Sequence, residues 1–359
     1  MSQSDKNSFS SSVIVEPSEI RSQTSERSAR KPRRFPIGIG VARILAFFLL
    51  IAALTLLTDR IINTGLRSVQ TSTYGVLNRI VSGQANADIV ISGSSRAWVH
   101  YDPREISSAT GMSVFNIGQN GTQSDIQLAM LKTYLKHNRK PKLIIHNLDL
   151  YSLQTSKEVY EVARYIPYLK EQPLYETLQK VYPHASRWKA LPLYGHLVED
   201  ARFNWLIGLK AFVGMQPRED HIEGFVPRHL HWTGDFEKFK EQNPEGVRFE
   251  MTSEGTKCIE EIAEICRSEG VPLLFAYSPE YKPMQEIEVN RREIFDQFRD
   301  IAARYDVPLW DFSDSPVCLD RDLFYNSQHL NHQGASQFSR ELALRLAAGI
   351  REKIIKTGM

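Results

Sequence analysis

Apolar positions in this chain fall into short unbroken runs separated by stretches of helical period. The runs are Asp88-Ile89-Val90-Ile91-Ser92, Ser113-Val114-Phe115-Asn116, Lys142-Leu143-Ile144-Ile145-His146, Val271-Pro272-Leu273-Leu274-Phe275-Ala276 and Val307-Pro308-Leu309-Trp310. Runs without polar alternation suit strands covered on both faces, as in a parallel sheet. Between and after them the spacing predicts helices at 122–137, 253–269, 285–305 and 332–356. The helix at 253–269 opens at Thr252 or Ser253 and closes before Gly270. Such alternation predicts an α/β sandwich with a parallel five-stranded sheet and right-handed crossovers.

Two regions break the rhythm. From about Tyr151 to Arg248 no good strand occurs, and helical patches alternate with aromatics that include Trp188, Trp205 and Trp232. This reads as a helical insertion whose aromatics form its own core, or as a lid over the carboxyl ends of the strands, where open α/β sheets bind ligands. The other exception is Ile37 to Thr58, apolar except for Arg43 and uncharged from Ile44 to Leu57. At about 1.5 Å per residue a helix here covers roughly 33 Å, enough for a hydrocarbon core of about 30 Å.

A signal peptide and a buried core helix are the competing readings of that run. Thr58-Asp59-Arg60-Ile61-Ile62 offers no small-residue cleavage site, and Ile44 to Leu57 has no polar face. A single uncleaved span is the expectation, with a stalk at 59–86 after it. Residues 1–36 hold ten serines and end in Arg30-Lys31-Pro32-Arg33-Arg34, which reads as a disordered tail. Seven basic residues against four acidic ones precede the span, so the positive-inside rule puts the tail in the cytoplasm and the rest outside.

That orientation divides the overall charge. The 359 residues carry a formal net charge of +2. Residues 1–43 hold eight basic and four acidic side chains, a net of +4, so the remaining 36 basic and 38 acidic residues give −2. Nothing here suits wrapping around nucleic acid. Cys258, Cys266 and Cys318 are too few for a disulfide scaffold, and Cys258 and Cys266 lie too far apart on one helix to pair; they read as packed thiols.

Three blocks carry candidate chemistry. The first strand runs into Gly93-Ser94-Ser95-Arg96-Ala97-Trp98, where a glycine permits a tight turn that presents a hydroxyl at the sheet's carboxyl end. The second ends in Asn116-Ile117-Gly118-Gln119-Asn120-Gly121, whose glycines can free backbone N–H groups for an oxyanion. Far downstream, Asn326-Ser327-Gln328-His329-Leu330-Asn331-His332 puts His329 before the last helix. His329 and His332 could also be read as a metal pair, but no acidic cluster accompanies them.

In this order the blocks resemble the SGNH/GDSL hydrolase superfamily, over roughly residues 87–151 and 252–359. The resemblance implies a flavodoxin-like three-layer sandwich with Ser95 as nucleophile, matched by Gly93, Ser95 and Pro103, and Ser94 in the place of the usual acidic residue. His329 matches the family's catalytic histidine, and Gly121 and Asn147 its oxyanion donors beside the Ser95 N–H, Asn147 about one position out of alignment. The acid three residues before the histidine is here Asn326, which can orient the ring but cannot offset imidazolium charge. Weak activity, a Ser-His dyad or a substitute carboxylate such as Asp322 all remain open.

The resemblance further implies a serine esterase or O-acyltransferase of the bacterial cytoplasmic membrane, its outer domain at 87–359 acting without metal or cofactor. The expected partners are an acylated glycan or acyl donor, the lipid bilayer and proteins of envelope polysaccharide synthesis. A weakened SGNH domain that binds glycan or serves in assembly is the alternative.

Overall fold

The apolar runs become one sheet. In the computed structural model, which describes residues 37–197, 204–217, 221–352, 355 and 357–358, the strands are β1 (Ile89–Ser92), β2 (Val114–Asn116), β3 (Leu143–Leu148), β4 (Leu273–Tyr277) and β5 (Leu309–Asp311). All neighbours pair in parallel, in the order β2-β1-β3-β4-β5. The order reverses at β1, so the crevice at the carboxyl ends of β1 and its neighbours is where such a sheet receives ligands.

Side-chain alternation along the strands feeds two apolar layers. Val90, Ile144 and Phe275 point into the layer with Leu131, Ile259, Ile262 and Phe298. These come from α5 (Ser124–His137), α10 (Ser253–Ser268) and α12 (Arg291–Tyr305). Ile89, Ile91, Ile145 and Leu274 point the other way, against Phe338, Leu342 and Leu346 of α13 (His332–Arg351) and Ile106 of α4 (Pro103–Thr110). The result is the expected three-layer α/β sandwich.

The chain divides after Leu50 into two units. Helix α1 (Ile37–Ser68) contains the apolar run and is long and apolar enough to cross a membrane. The disordered tail expected at 1–36 lies outside the described residues. Residues 59–86 differ from the expected stalk: the last turns of α1, the link after it and α2 (Ser72–Val81) bury Ile62, Leu66, Val69, Leu77 and Ile80 in the main core. Their apolar side chains recur at helical spacing, which is the signal that a stalk would lack.

Two further expectations change in detail. The helix expected at 285–305 is interrupted, with α11 (Lys282–Gln285) separated from α12. Glu288 there bridges Val247 of the insertion and is held by Arg291, so a long-range contact outweighs local propensity. The insertion holds α6 (Gln172–Val181), α7 (Ala185–Ala190), α8 (Asn204–Phe212) and α9 (Asp235–Gln242). Its tryptophans have different fates: Trp188 is buried, Trp232 packs against Tyr281, and Trp205 is exposed. After α8 the insertion returns to the sheet edge, where Asn116 N–H donates to Glu223 and Val226 N–H to Trp98.

Candidate active site

A glycine conformation starts the site. Gly93 follows β1 with φ +144°, and a Cβ there would meet Ala97 Cβ at 2.8 Å and the Asn147 carbonyl at 3.0 Å. Only glycine makes this reversal without strain, so β1 turns at once into α3 (Ser95–His100) with Ser95 as its first residue. Ser94 occupies the N-cap position but leaves the helix uncapped, because its hydroxyl donates to the buried Asp149 carboxylate. First-turn N–H groups of a helix have no intrahelical acceptor, so the Ser95 N–H has none in α3.

The histidine comes from a hairpin absent from the expected elements. Strands β6 (Phe324–Asn326) and β7 (His329–Leu330) pair antiparallel, and Asn326 faces His329 across the turn Ser327-Gln328. Asn326 Oδ1 accepts from Gln328 N–H at 3.1 Å and from His329 N–H at 2.9 Å. Since only an oxygen can accept from two backbone donors, the amide orientation is settled. The same oxygen lies 2.9 Å from His329 Nδ1, which must therefore carry the ring proton. Nε2 is left as the acceptor, 2.7 Å from Ser95 Oγ. The structure thus brings Ser95, His329 and Asn326 together in one hydrogen-bonded line.

The surroundings favour a neutral ring. Burial, then the cationic Arg96 and Arg228, push His329 down to about 3. Arg96 is buried on the Tyr277 ring, donates to the carbonyls of Ser278 and Pro279, and faces Asp149 and Glu280. Arg228, from the insertion, lies 5.6 Å from the ring centres of both Trp98 and Tyr325, and Tyr325 stacks on His329 at 5.4 Å. His100 is held well below its usual range by burial; it accepts from Leu330 N–H at 3.0 Å and ties α3 to β7. Burial raises the Asp149 carboxyl against the lowering pull of Arg96 and Ser94.

Other expected residues lie elsewhere. Gly121 is exposed in the turn after β2 with φ +66°, backed by Tyr160, and is not among the residues lining the crevice at Ser95. Asn147 is fully buried and engaged: its Oδ1 accepts from Tyr101 Oη at 2.6 Å and Ser278 N–H at 3.3 Å, and its Nδ2 donates to Leu148 O at 3.1 Å. The structure therefore corrects the Asn147 assignment from oxyanion donor to a strut between β3 and α3. We expect Asn147→Ala to strand the buried Tyr101 hydroxyl and cost on the order of 2 kcal/mol, read as a lower melting temperature. An oxyanion donor would instead lower turnover 10²–10³-fold at unchanged stability.

Asp322 is exposed, and the ring nitrogen it would serve is taken by Asn326. His332 does not join His329 but packs on His229 at 4.2 Å, and the three cysteines are free thiols. Asp149, Arg96 and Glu280 line the crevice at Ser95 and went unread in the sequence. Arg96 lies inside the Gly93–Trp98 block and Asp149 just past the end of β3, a weak signal for both, and nothing local marks Glu280 or Arg228.

No protein-family model matches the sequence, and no curated protein matches it. Among solved structures, an acetyl xylan esterase is similar with 11% identity, covering 73% of this chain and 98% of that chain at a TM-score of 0.36. A GDSL-like lipase from Bacteroides thetaiotaomicron is similar with 9% identity, covering 72% of this chain and 88% of that chain at a TM-score of 0.33. At these TM-scores the fold rests on the sheet order and the chemistry on the distances around Ser95.

Proposed function

We propose that the chain is a membrane-anchored SGNH-type serine esterase or O-acyltransferase acting outside the cytoplasm on an acyl ester of a cell-envelope glycan. The observation that carries this reading is the 2.7 Å contact between Ser95 Oγ and a His329 Nε2 fixed as acceptor. Ser95 Oγ attacks the ester carbonyl as its proton passes to His329 Nε2. The tetrahedral oxyanion forms near the Ser95 N–H and the positive field of Arg96. Collapse expels the alcohol, which takes the proton from His329. Water, or a sugar hydroxyl in a transferase, then gives its proton to His329 and attacks the acyl-Ser95 carbonyl, and the proton returns to Ser95 as the acyl group leaves.

The crevice at Ser95 has a volume of about 50 Å³ and is lined by Leu150, Tyr151, Gln328 and His329 among others. The apolar helix and the charge asymmetry around it support anchoring and orientation.

Asn326 and the depressed basicity of His329 favour one further reading, a weakened domain that binds glycan. A fluorophosphonate probe separates the two. The esterase reading expects covalent labelling of the folded chain, lost in Ser95→Ala and slowed at least 10²-fold in His329→Gln; a folded wild type that stays unlabelled overturns it.

A further inference from the structure

Helix α8 packs inside out for a helix at a water-exposed surface. Its face toward the last turns of α1 is made by the small residues Gly208 and Ala211, both buried, with buried Asn204 and half-buried Ile207 beside them. A Cβ on Gly65 would meet the Gly208 carbonyl at 1.8 Å, and one on Gly208 the Ile62 carbonyl at 2.7 Å. Its other large apolar residues face outward, with Trp205 45%, Leu206 39%, Leu209 36% and Phe212 50% exposed, followed by Val213 at 71% just past its end. A surface helix in water carries the opposite arrangement, with bulky apolar side chains inward. Small residues between helices and large ones outward is the pattern of helices bathed in lipid.

The position of α8 names what covers it. Ser68 at the end of α1 donates to the Ala211 carbonyl at 3.4 Å, Thr71 to Pro217 at 3.0 Å, and Leu193 N–H donates to Asp59 at 2.8 Å. The last of these brings the segment with exposed Leu191, Tyr194 and Leu197 to the point where the apolar run of α1 ends. Large apolar side chains exposed together along one helix are uncommon on a soluble monomer and mark a membrane or protein contact. Trp and Tyr at the edge of this face are the side chains that settle at the headgroup level.

We propose that α8 and the 191–197 segment form a second membrane contact, a monotopic face seated in the outer headgroup region of the bilayer beside the anchor. The proposal rests on the anchoring read above. Asn204 and Ile207 also line a cavity of about 500 Å³ with Asn120 and Trp98, and Trp98 lies three residues after Ser95 on α3. Seating α8 in the headgroups holds that cavity close to the membrane surface, so an ester substrate would reach the site along the bilayer.

The test uses the full chain in phosphatidylcholine nanodiscs, with and without brominated acyl chains. Brominated lipid is expected to quench part of the tryptophan fluorescence, and Trp205→Phe to remove that lipid-dependent part. The Leu209→Asp/Phe212→Asp variant is expected to insert normally yet lose the quenching. Normal insertion with no lipid-dependent quenching, or quenching that survives Trp205→Phe, overturns the second contact while leaving the anchor standing. Failure of the chain to enter nanodiscs overturns the anchor, and the second contact with it.

Discussion

Asn326→Asp raises the rate of ester hydrolysis on the order of 10²-fold and moves the acid limb of its pH profile upward. In a serine protease triad the change from Asp to Asn costs about 10⁴, partly because the ring adopts the wrong tautomer. Here that part of the loss is absent, since two backbone N–H groups already force the Asn326 oxygen toward Nδ1. What is missing is a negative charge to stabilise the imidazolium, and the gain should be correspondingly smaller than 10⁴. The turn suits a carboxylate, because the same oxygen accepts from three donors and Arg96 and Arg228 lie near His329. The sign of the pH effect follows from which form reacts. With His329 at about 3 the ring is neutral and competent down to acid pH, and activity governed by it falls only as pH drops toward that value. A carboxylate at 326 favours the protonated ring, raises this value, and shifts the loss of activity toward neutral pH. Turnover of a neutral aryl acetate from pH 4 to 8 measures both effects; an unchanged rate would remove His329 as the proton acceptor.

The parts of this molecule that were legible in the sequence are those whose cause is local. Strand positions followed from runs such as Ile89-Val90-Ile91, because a parallel strand buried on both faces cannot alternate. Ser95 and the Asn326–His329 pair are carried by the resemblance of three short blocks to a family pattern; the glycine turn alone is a common turn, and the hairpin that makes Asn326 and His329 neighbours is not among the expected elements. Asn147 failed for want of a local cause. Its partner Tyr101 lies 46 residues away, and nothing in the local sequence says that a buried hydroxyl has claimed its amide oxygen. Arg228 comes beside Tyr325, which stacks on His329, after an insertion has crossed from β3 and returned to the edge of β2. The supposed stalk was misread because charge at Asp59 and Arg60 marked the end of the apolar run, whereas α1 continues to Ser68 and turns into the core.

Gly93→Ala is the substitution that most directly tests whether the fold and the site share one constraint. At φ +144° an L side chain is strained by about 1–2 kcal/mol. The added methyl group would also lie 2.8 Å from Ala97 Cβ and 3.0 and 3.1 Å from the carbonyl and Cβ of Asn147. Neither wall can yield cheaply: Ala97 is on α3, and Asn147 is a central residue of β3 whose side chain is held by Tyr101 and Ser278. Overpacking of this kind costs about 1–3 kcal/mol more, so the total of roughly 2–5 kcal/mol is a large share of a normal domain's stability of about 5–15 kcal/mol. The strain falls between β1 and α3, so the fraction that does fold relieves it by moving Ser95 away from His329. The variant is therefore expected to melt well below the wild type, and to label with fluorophosphonate more slowly even at temperatures where it is folded. Ser94→Ala provides the contrast, since it removes the hydrogen bond to Asp149 without touching the backbone turn. Thermal denaturation and labelling rate measured together decide the matter. If Gly93→Ala melts and labels as the wild type does, the turn does not hold the serine in place.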